Sequence, residues 1–402
     1  MKAAGIDVIS MSLGEPDMDT PEHIRRAAQE AIDNGWTHYG PVAGVASLRE
    51  AIAEQANKLT TNSLTSNHLT FMANDVIVSV GAKMAIYNAI QTIINPGDEV
   101  VIPMPSWVSY TEMVKVAGGE VVAVKTKYEN RYCLTPEELR TALTDKTRML
   151  ILCSPNNPTG SVYSYEELKA IVEVLRDYPQ VVVLSDEIYG RITYSLPFTG
   201  EELCSIGLPV AVRRTLLGLG SFPEIADRLI IVNGVSKAYA MTGWRIGWLM
   251  SKNKAFTEAC SRLQGQQVTC ATMVAQKAAE AALTGSQECV EQMRQVFAER
   301  RELICRLAAE IPGFRFEKPQ GAFYLFPDVS ALMGKPTSNP SLKGRVLKNA
   351  DDLAEYILNE AHVAVVSGSA FGCPECIRLS YAISTEEITE AMRRIKKAIL
   401  DL

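Results

Sequence analysis

Leu229–Arg245 reads LIIVNGVSKAYAMTGWR. Its first four residues are an unbroken aliphatic run, the pattern of a strand buried on both faces. Small and polar residues follow at once, with Ser236, Lys237 and Arg245 among them. A lysine just past a buried strand is partly desolvated, which lowers its pKa and makes its amine nucleophilic. The competing reading is a surface lysine in a glycine-containing loop, since exposed lysines are common.

The same grammar recurs upstream. Val181–Leu184 (VVVL) runs into Ser185, Asp186, Glu187, Ile188 and Tyr189. An aspartate there is either a helix N-cap or a counter-ion. Met149–Cys153 (MLILC) runs into Ser154–Gly160 (SPNNPTG), an ordinary turn signal by itself. Val76–Val80 (VIVSV) runs into Gly81-Ala82-Lys83, which opens a helix ending at Asn95-Pro96-Gly97. Free N–H groups at such a helix start can hold a phosphate. Glu99–Ile102 is a further strand and Glu166–Arg176 a further helix. Strands alternating with helices predict a largely parallel sheet covered on both faces, with ligands beyond the strands' carboxyl ends. Together the four segments supply an amine, a carboxylate, neutral donors and a phosphate cradle. That set suits pyridoxal 5'-phosphate (PLP), which needs a lysine, an acid for its ring nitrogen and a phosphate site.

The C-terminal third has a different pattern. Helical periodicity covers Phe256–Leu283 and Cys289–Glu310, and Thr385–Ile399 is the last helix. Short strands are expected at Phe323–Phe326, Val363–Val366 and Ile377–Ser380. This predicts a smaller α+β unit, joined by the N-terminal residues. Lys58–Asn74, Leu196–Asp227 and Gly334–Gly344 read as irregular connections.

Composition narrows the function classes. The 402 residues carry 40 Lys+Arg against 46 Asp+Glu, a net charge of −6. That balance is poor for nucleic-acid binding, which draws its affinity from cations on phosphates. No apolar run reaches the 18 or so residues of a membrane span. The start MKAAGIDVIS lacks a secretory pattern. Nine scattered cysteines fit reduced thiols and a cytoplasmic location. Cys373 and Cys376, in GCPEC, are a close pair without the further ligands a zinc site needs. They read as free thiols in a loop, and no metal is expected.

These motifs occur together in one family. From Leu13–Asp17 (LGEPD) through SPNNPTG and Asn233–Arg245 to Gly368–Gly372 (GSAFG) and Ile377–Tyr381 (IRLSY), the chain resembles the fold-type I, class I PLP-dependent aminotransferases. It is most similar to bacterial aspartate aminotransferases of the Ib subgroup. The resemblance implies an α/β large domain over 36–285, with a mostly parallel seven-stranded sheet. Residues 1–35 and 286–402 would form the small domain. It implies that Lys237 binds PLP covalently and serves as general base, with Asp186 on the ring nitrogen. Tyr189 and Asn157 would bond the ring's phenolic oxygen, and Trp107 would stack on the ring. Gly81, Ala82, Ser236 and Arg245 would hold the phosphate, joined by Tyr39 from the partner of a homodimer with shared sites. Arg378 and the Gly14 backbone would take the substrate's α-carboxylate, and Lys83 a distal one.

The implied reaction is ping-pong amino transfer from L-aspartate to 2-oxoglutarate. Aromatic or prephenate specificity, or carbon–sulfur lyase chemistry, are the alternatives on this scaffold. A transcription regulator with an appended aminotransferase-like domain is disfavoured, because the match begins within the first fifteen residues and leaves no room for a helix-turn-helix. Two departures are expected to matter. The subgroup's N-terminal segment before Ile6 is absent from this sequence. The stretch between Tyr189 and Ser236 is longer than usual, as surface loop or entrance cover.

Overall fold

The computed structural model describes residues 1, 5–61, 69–194, 218–336 and 346–402. Parts of the irregular stretches 58–74, 196–227 and 334–344 therefore lie outside the described residues, as does half of the long segment between Tyr189 and Ser236. Twelve strands are found among the described residues. They are β1 (Ile9–Ser10), β2 (Val76–Val80), β3 (Glu99–Met104), β4 (Glu120–Lys125), β5 (Thr147–Cys153) and β6 (Val182–Asp186). The remainder are β7 (Leu229–Gly234), β8 (Ile246–Met250), β9 (Tyr324–Leu325), β10 (Val363–Ala364), β11 (Val366–Ser367) and β12 (Ile377–Ser380).

Seven strands form one sheet in the order β2-β8-β7-β6-β5-β3-β4. β8 runs antiparallel to both of its neighbours, and the other pairs are parallel. The architecture is the expected α/β sheet. Its strands read as unbroken apolar runs because both faces are covered. Val78, Leu150, Val183 and Ile231 point into one core cluster. Ile77, Ile151, Leu184 and Ile230 point into another on the opposite face. β2, β5, β6 and β7 share one direction, so the segments that follow them converge on one edge of the sheet.

A third cluster gathers the C-terminal elements: Phe297 and Ile304 from the helix Glu288–Ala308, Ile357 from Ala350–Glu360, and Ile395 from Thr385–Leu400. Ile9 and Met11 pack into it, and β1 pairs with β10 in parallel. The helical pattern over Phe256–Leu283 is two helices, Lys254–Gln267 and Met273–Thr284. The break falls where Thr269 adopts a left-handed φ of 62°, which continuous helix does not allow. Val363–Val366 likewise divides between β10, which pairs with β1, and β11, which pairs with β12. No described helix is long and apolar enough to cross a membrane.

Candidate active site

A cavity of about 340 Å³ opens at the edge where β2, β5, β6 and β7 end. Eleven of the thirteen residues singled out in the sequence line it: Gly14, Ala82, Lys83, Trp107, Asn157, Asp186, Tyr189, Ser236, Lys237, Arg245 and Arg378. Gly81 stands directly behind Arg245. Tyr39 is 90% exposed and does not line the cavity.

Lys237 follows β7. Its Nζ donates to the Gly14 carbonyl at 2.5 Å. Burial lowers its pKa to about 8; Glu15 opposes the shift, and the Arg245 and Arg378 cations add to it. An amine titrating there holds a far larger unprotonated, nucleophilic fraction near neutrality than an ordinary lysine does, although the charged form still dominates.

Asp186 closes β6 and is buried. Burial raises its pKa, while hydrogen bonds from the Tyr110 hydroxyl and the Ile188 amide, and the Lys237 charge, pull it back down. The Tyr110 hydroxyl donates to Oδ2 at 2.6 Å, and the Ile188 amide donates to Oδ1 at 3.1 Å. Burial, and then the Asp186 charge, push Tyr110 far above the ordinary phenol range, so it stays a donor. Tyr110 also sets its ring edge-on to Trp107, with centroids 5.3 Å apart. Sequence reading missed Tyr110. Its one signal is the i, i+3 spacing from Trp107 at the start of the helix Ser109–Val116.

Arg378 sits on β12 and is 7% exposed. Nη1 donates to Asn157 Oδ1 at 2.9 Å, and Nη2 donates to the Ser12 carbonyl at 2.7 Å. Its Nε is buried without a hydrogen-bond partner. The guanidinium lies 4.4 Å from the Tyr324 ring centroid. The Tyr324 hydroxyl is 2.8 Å from that of Tyr189. Tyr324, also missed in the sequence, belongs to the run Phe323–Phe326, whose composition announces only core. A planar cation held this way, with a donor to spare, suits a carboxylate.

The remaining cations stand at the helix Gly81–Ile93. Gly81 has φ +78°, and a Cβ there would lie 2.4 Å from Arg245 Nη2. Only glycine therefore lets the guanidinium lie over the first turn of the helix, where backbone N–H groups are free. Ser236 adds a hydroxyl to the same cavity. Helix dipole, free amides, guanidinium and hydroxyl together form an anion site suited to a phosphate. Lys83, two positions beyond Gly81 on the helix, places Nζ 4.7 Å from the Trp107 ring centroid. A lowered amine, a buried carboxylate, an aromatic wall and a phosphate cradle in one cavity fit PLP. Among the described residues no group of His, Cys, Asp and Glu is disposed to hold a metal ion.

The site can be set beside known proteins. The chain is 40% identical to an aspartate/prephenate aminotransferase of Nitrosomonas europaea, over 98% of this chain and 93% of that protein. It is 41% identical to an aspartate aminotransferase of Bacillus sp. strain YM-2, over 99% and 93%. The crystal structure of an aspartate aminotransferase from Rhizobium meliloti superposes with a TM-score of 0.90 at 37% identity, covering 100% of this chain and 94% of the other. An aromatic aminotransferase from Pyrococcus horikoshii OT3 superposes with a TM-score of 0.85 at 36% identity, covering 98% and 96%. The family model for aminotransferases of class I and II matches residues 6–395. The chain belongs to that family and is a PLP-dependent transaminase.

Proposed function

We propose that the chain moves the amino group of L-aspartate to 2-oxoglutarate by a ping-pong route. The observation that carries this reading is a pair of cations, Arg378 and Lys83, lining the same cavity as the Lys237 amine. One carboxylate per cation matches a dicarboxylic amino acid. When bound, PLP supplies an electron sink for the pair of electrons left at the α-carbon. Lys237 would hold the cofactor covalently, and its amine would take the α-proton as general base. Asp186 would keep the ring nitrogen protonated. Tyr189 and the Asn157 amide would hold the ring's phenolic oxygen, and Trp107 would pack against the ring. Gly81, Ala82, Ser236 and Arg245 bind the phosphate.

Arg378 takes the α-carboxylate as a bidentate pair, in place of its bond to the Ser12 carbonyl, beside the Gly14 backbone. Lys83 takes the distal carboxylate. Tyr39, so exposed here, meets the phosphate of a second subunit in a homodimer. We assign residues 36–285 to the cofactor-binding domain and 1–35 with 286–402 to the small domain, in a cytoplasmic enzyme.

The test is a single-turnover titration of the PLP-loaded enzyme with L-aspartate alone. The expected result is loss of the bound-cofactor absorbance with release of one equivalent of oxaloacetate. A response to aromatic amino acids only would transfer the assignment to the specificity of the Pyrococcus relative. No response to L-aspartate, with turnover of a sulfur-containing amino acid to a thiol, ammonia and an oxo acid, would favour a carbon–sulfur lyase. Prephenate as acceptor is the second reading, motivated by the Nitrosomonas relative, and is tested in the return half-reaction. Lys83→Ala is expected to raise the KM for L-aspartate about 10–100-fold, the value of one charge-assisted hydrogen bond. A monocarboxylic amino donor should be spared, so an equal loss with both donors would refute the Lys83 assignment.

A further inference from the structure

Cys373 and Cys376 take no part in the chemistry above. Both are buried, at 4% and 0% exposure, and their sulfurs lie 3.2 Å apart. The Cys376 amide donates to the Cys373 carbonyl at 3.1 Å. This i→i+3 bond marks a β-turn, which holds the end Cα atoms within about 7 Å. Disulfides bridge Cα separations of about 4.4–6.8 Å, so the turn presents both thiols at bonding range. Only Pro374 and Glu375 form its tip, and both are exposed.

The turn is fastened to the amino-acid site. Phe371, just ahead of it, sets its ring 5.0 Å from the Arg378 guanidinium. The Phe371 carbonyl accepts from the Ser106 amide at 3.1 Å, beside Trp107. Gly368 donates to the Cys376 carbonyl at 2.7 Å and accepts from the Cys373 amide at 2.9 Å. A Cβ on Gly368 would lie 2.1 Å and 2.4 Å from the Cys373 and Cys376 carbonyl oxygens. With so little slack, the sulfurs cannot close to the covalent distance of about 2.05 Å without moving neighbours.

We propose that Cys373 and Cys376 form a dithiol site that low-molecular-weight disulfides convert to an intrachain disulfide, and that this weakens amino-acid binding at Arg378. The second half rests on the reading of Arg378 as the carboxylate anchor. The Cys373 thiolate, on the less buried of the two residues, attacks one sulfur of the small disulfide and expels the other as a thiolate. Cys376 passes its proton to that leaving thiolate and attacks the Cys373 sulfur, releasing the second small thiol. Two protein thiols and one small disulfide thus become one protein disulfide and two small thiols. The second step is intramolecular and outpaces any competing external thiol. Its hydrogen bond to Cys376, and then burial, hold the Cys373 thiol above its ordinary range, so the dithiol is the resting form and exchange is slow.

The test incubates the PLP-loaded enzyme with oxidised glutathione. The peptide containing both cysteines is then read by mass spectrometry for loss of two hydrogens, after alkylation of free thiols. The KM for L-aspartate is measured before, after, and again after dithiothreitol. Expected are the disulfide-linked peptide and a rise in KM of about fivefold or more, the scale of a modest coupling between sites, reversed by the reductant. Cys373→Ser should keep the basal kcat and KM and ignore the oxidant; Cys373→Ala serves if the serine variant misfolds. Absence of the disulfide peptide, an unchanged KM in the oxidised enzyme, or an equal response in the variant would each overturn the proposal. An enzyme that ignores aspartate but forms the disulfide tells against the aspartate reading alone, and the KM comparison is then made with the amino acid that does react.

Discussion

Lys237→Ala is expected to lower kcat for transamination by at least about 10⁴-fold, the upper end of what a positioned acid–base group supplies. Lys83 and Arg245 line the same cavity, but Lys83 lies against Trp107 and Arg245 against the helix start at Gly81. A guanidinium does not release its proton in a protein, so Lys237→Arg restores charge without restoring a base or a nucleophile. The variant should still bind PLP through the phosphate cradle, which is built from other residues. Equilibrium dialysis should therefore show retained, though weaker, binding beside lost turnover. Turnover within tenfold of wild type would remove Lys237 from the mechanism.

The lowered pKa of Lys237 gives the same residue a pH signature. Its charged form dominates below about pH 8 and its free amine above. In the proposed role of Lys237, the free amine would make the covalent attachment to the cofactor. Uptake of PLP by the apoprotein, followed by absorbance, should therefore speed up as pH rises through about 8 and then level off. An uptake rate still climbing at pH 10 would mean that Lys237 has the ordinary lysine value, and that burial and its two cationic neighbours do not act as argued.

Much of this site is legible in sequence for one reason. Strands covered on both faces leave continuous apolar runs, so their ends are sharp and the residue after each end is easy to find. Lys237, Asp186 and Asn157 emerge that way, as does the helix start at Gly81. Tyr110 and Tyr324 do not. Each looks like core packing, and what makes it functional is a hydroxyl paired with a residue far along the chain: Asp186, 76 positions on, and Tyr189, 135 positions back. Sequence periodicity carries no information about such pairings. β4 is not among the expected strands either: none of its positions is fully buried, so this edge strand lacks the unbroken buried run of the central strands. The break at Thr269 was hidden because apolar periodicity continues across it, and only the backbone turns.

The pairing of Tyr110 with Asp186 leads to the second large effect. In a dry site the Asp186 carboxyl tends toward neutrality, and two hydrogen bonds and the Lys237 charge oppose that tendency. The ring nitrogen of PLP, protonated, would add a cation beside it and complete the ionisation. In the proposed role, Asp186→Ala would remove that partner, and the ring would lose its proton and with it most of its pull on electrons. The loss expected in kcat is about 10²–10³-fold, the size seen when a preorganised electrostatic partner is deleted.

Tyr110→Phe keeps the aromatic packing against Trp107 and removes only the hydroxyl. It should cost about tenfold, the worth of one hydrogen bond to a charged group. A purely structural role would lower stability without touching the cofactor. A role through Asp186 instead shifts the pH dependence of the bound-cofactor spectrum, since Asp186 without its phenol donor ionises less readily. In the double variant the phenol has no carboxylate left to serve. Its tenfold should therefore vanish, giving a strongly non-additive cycle. Full additivity would separate the two residues and leave Tyr110 as packing alone.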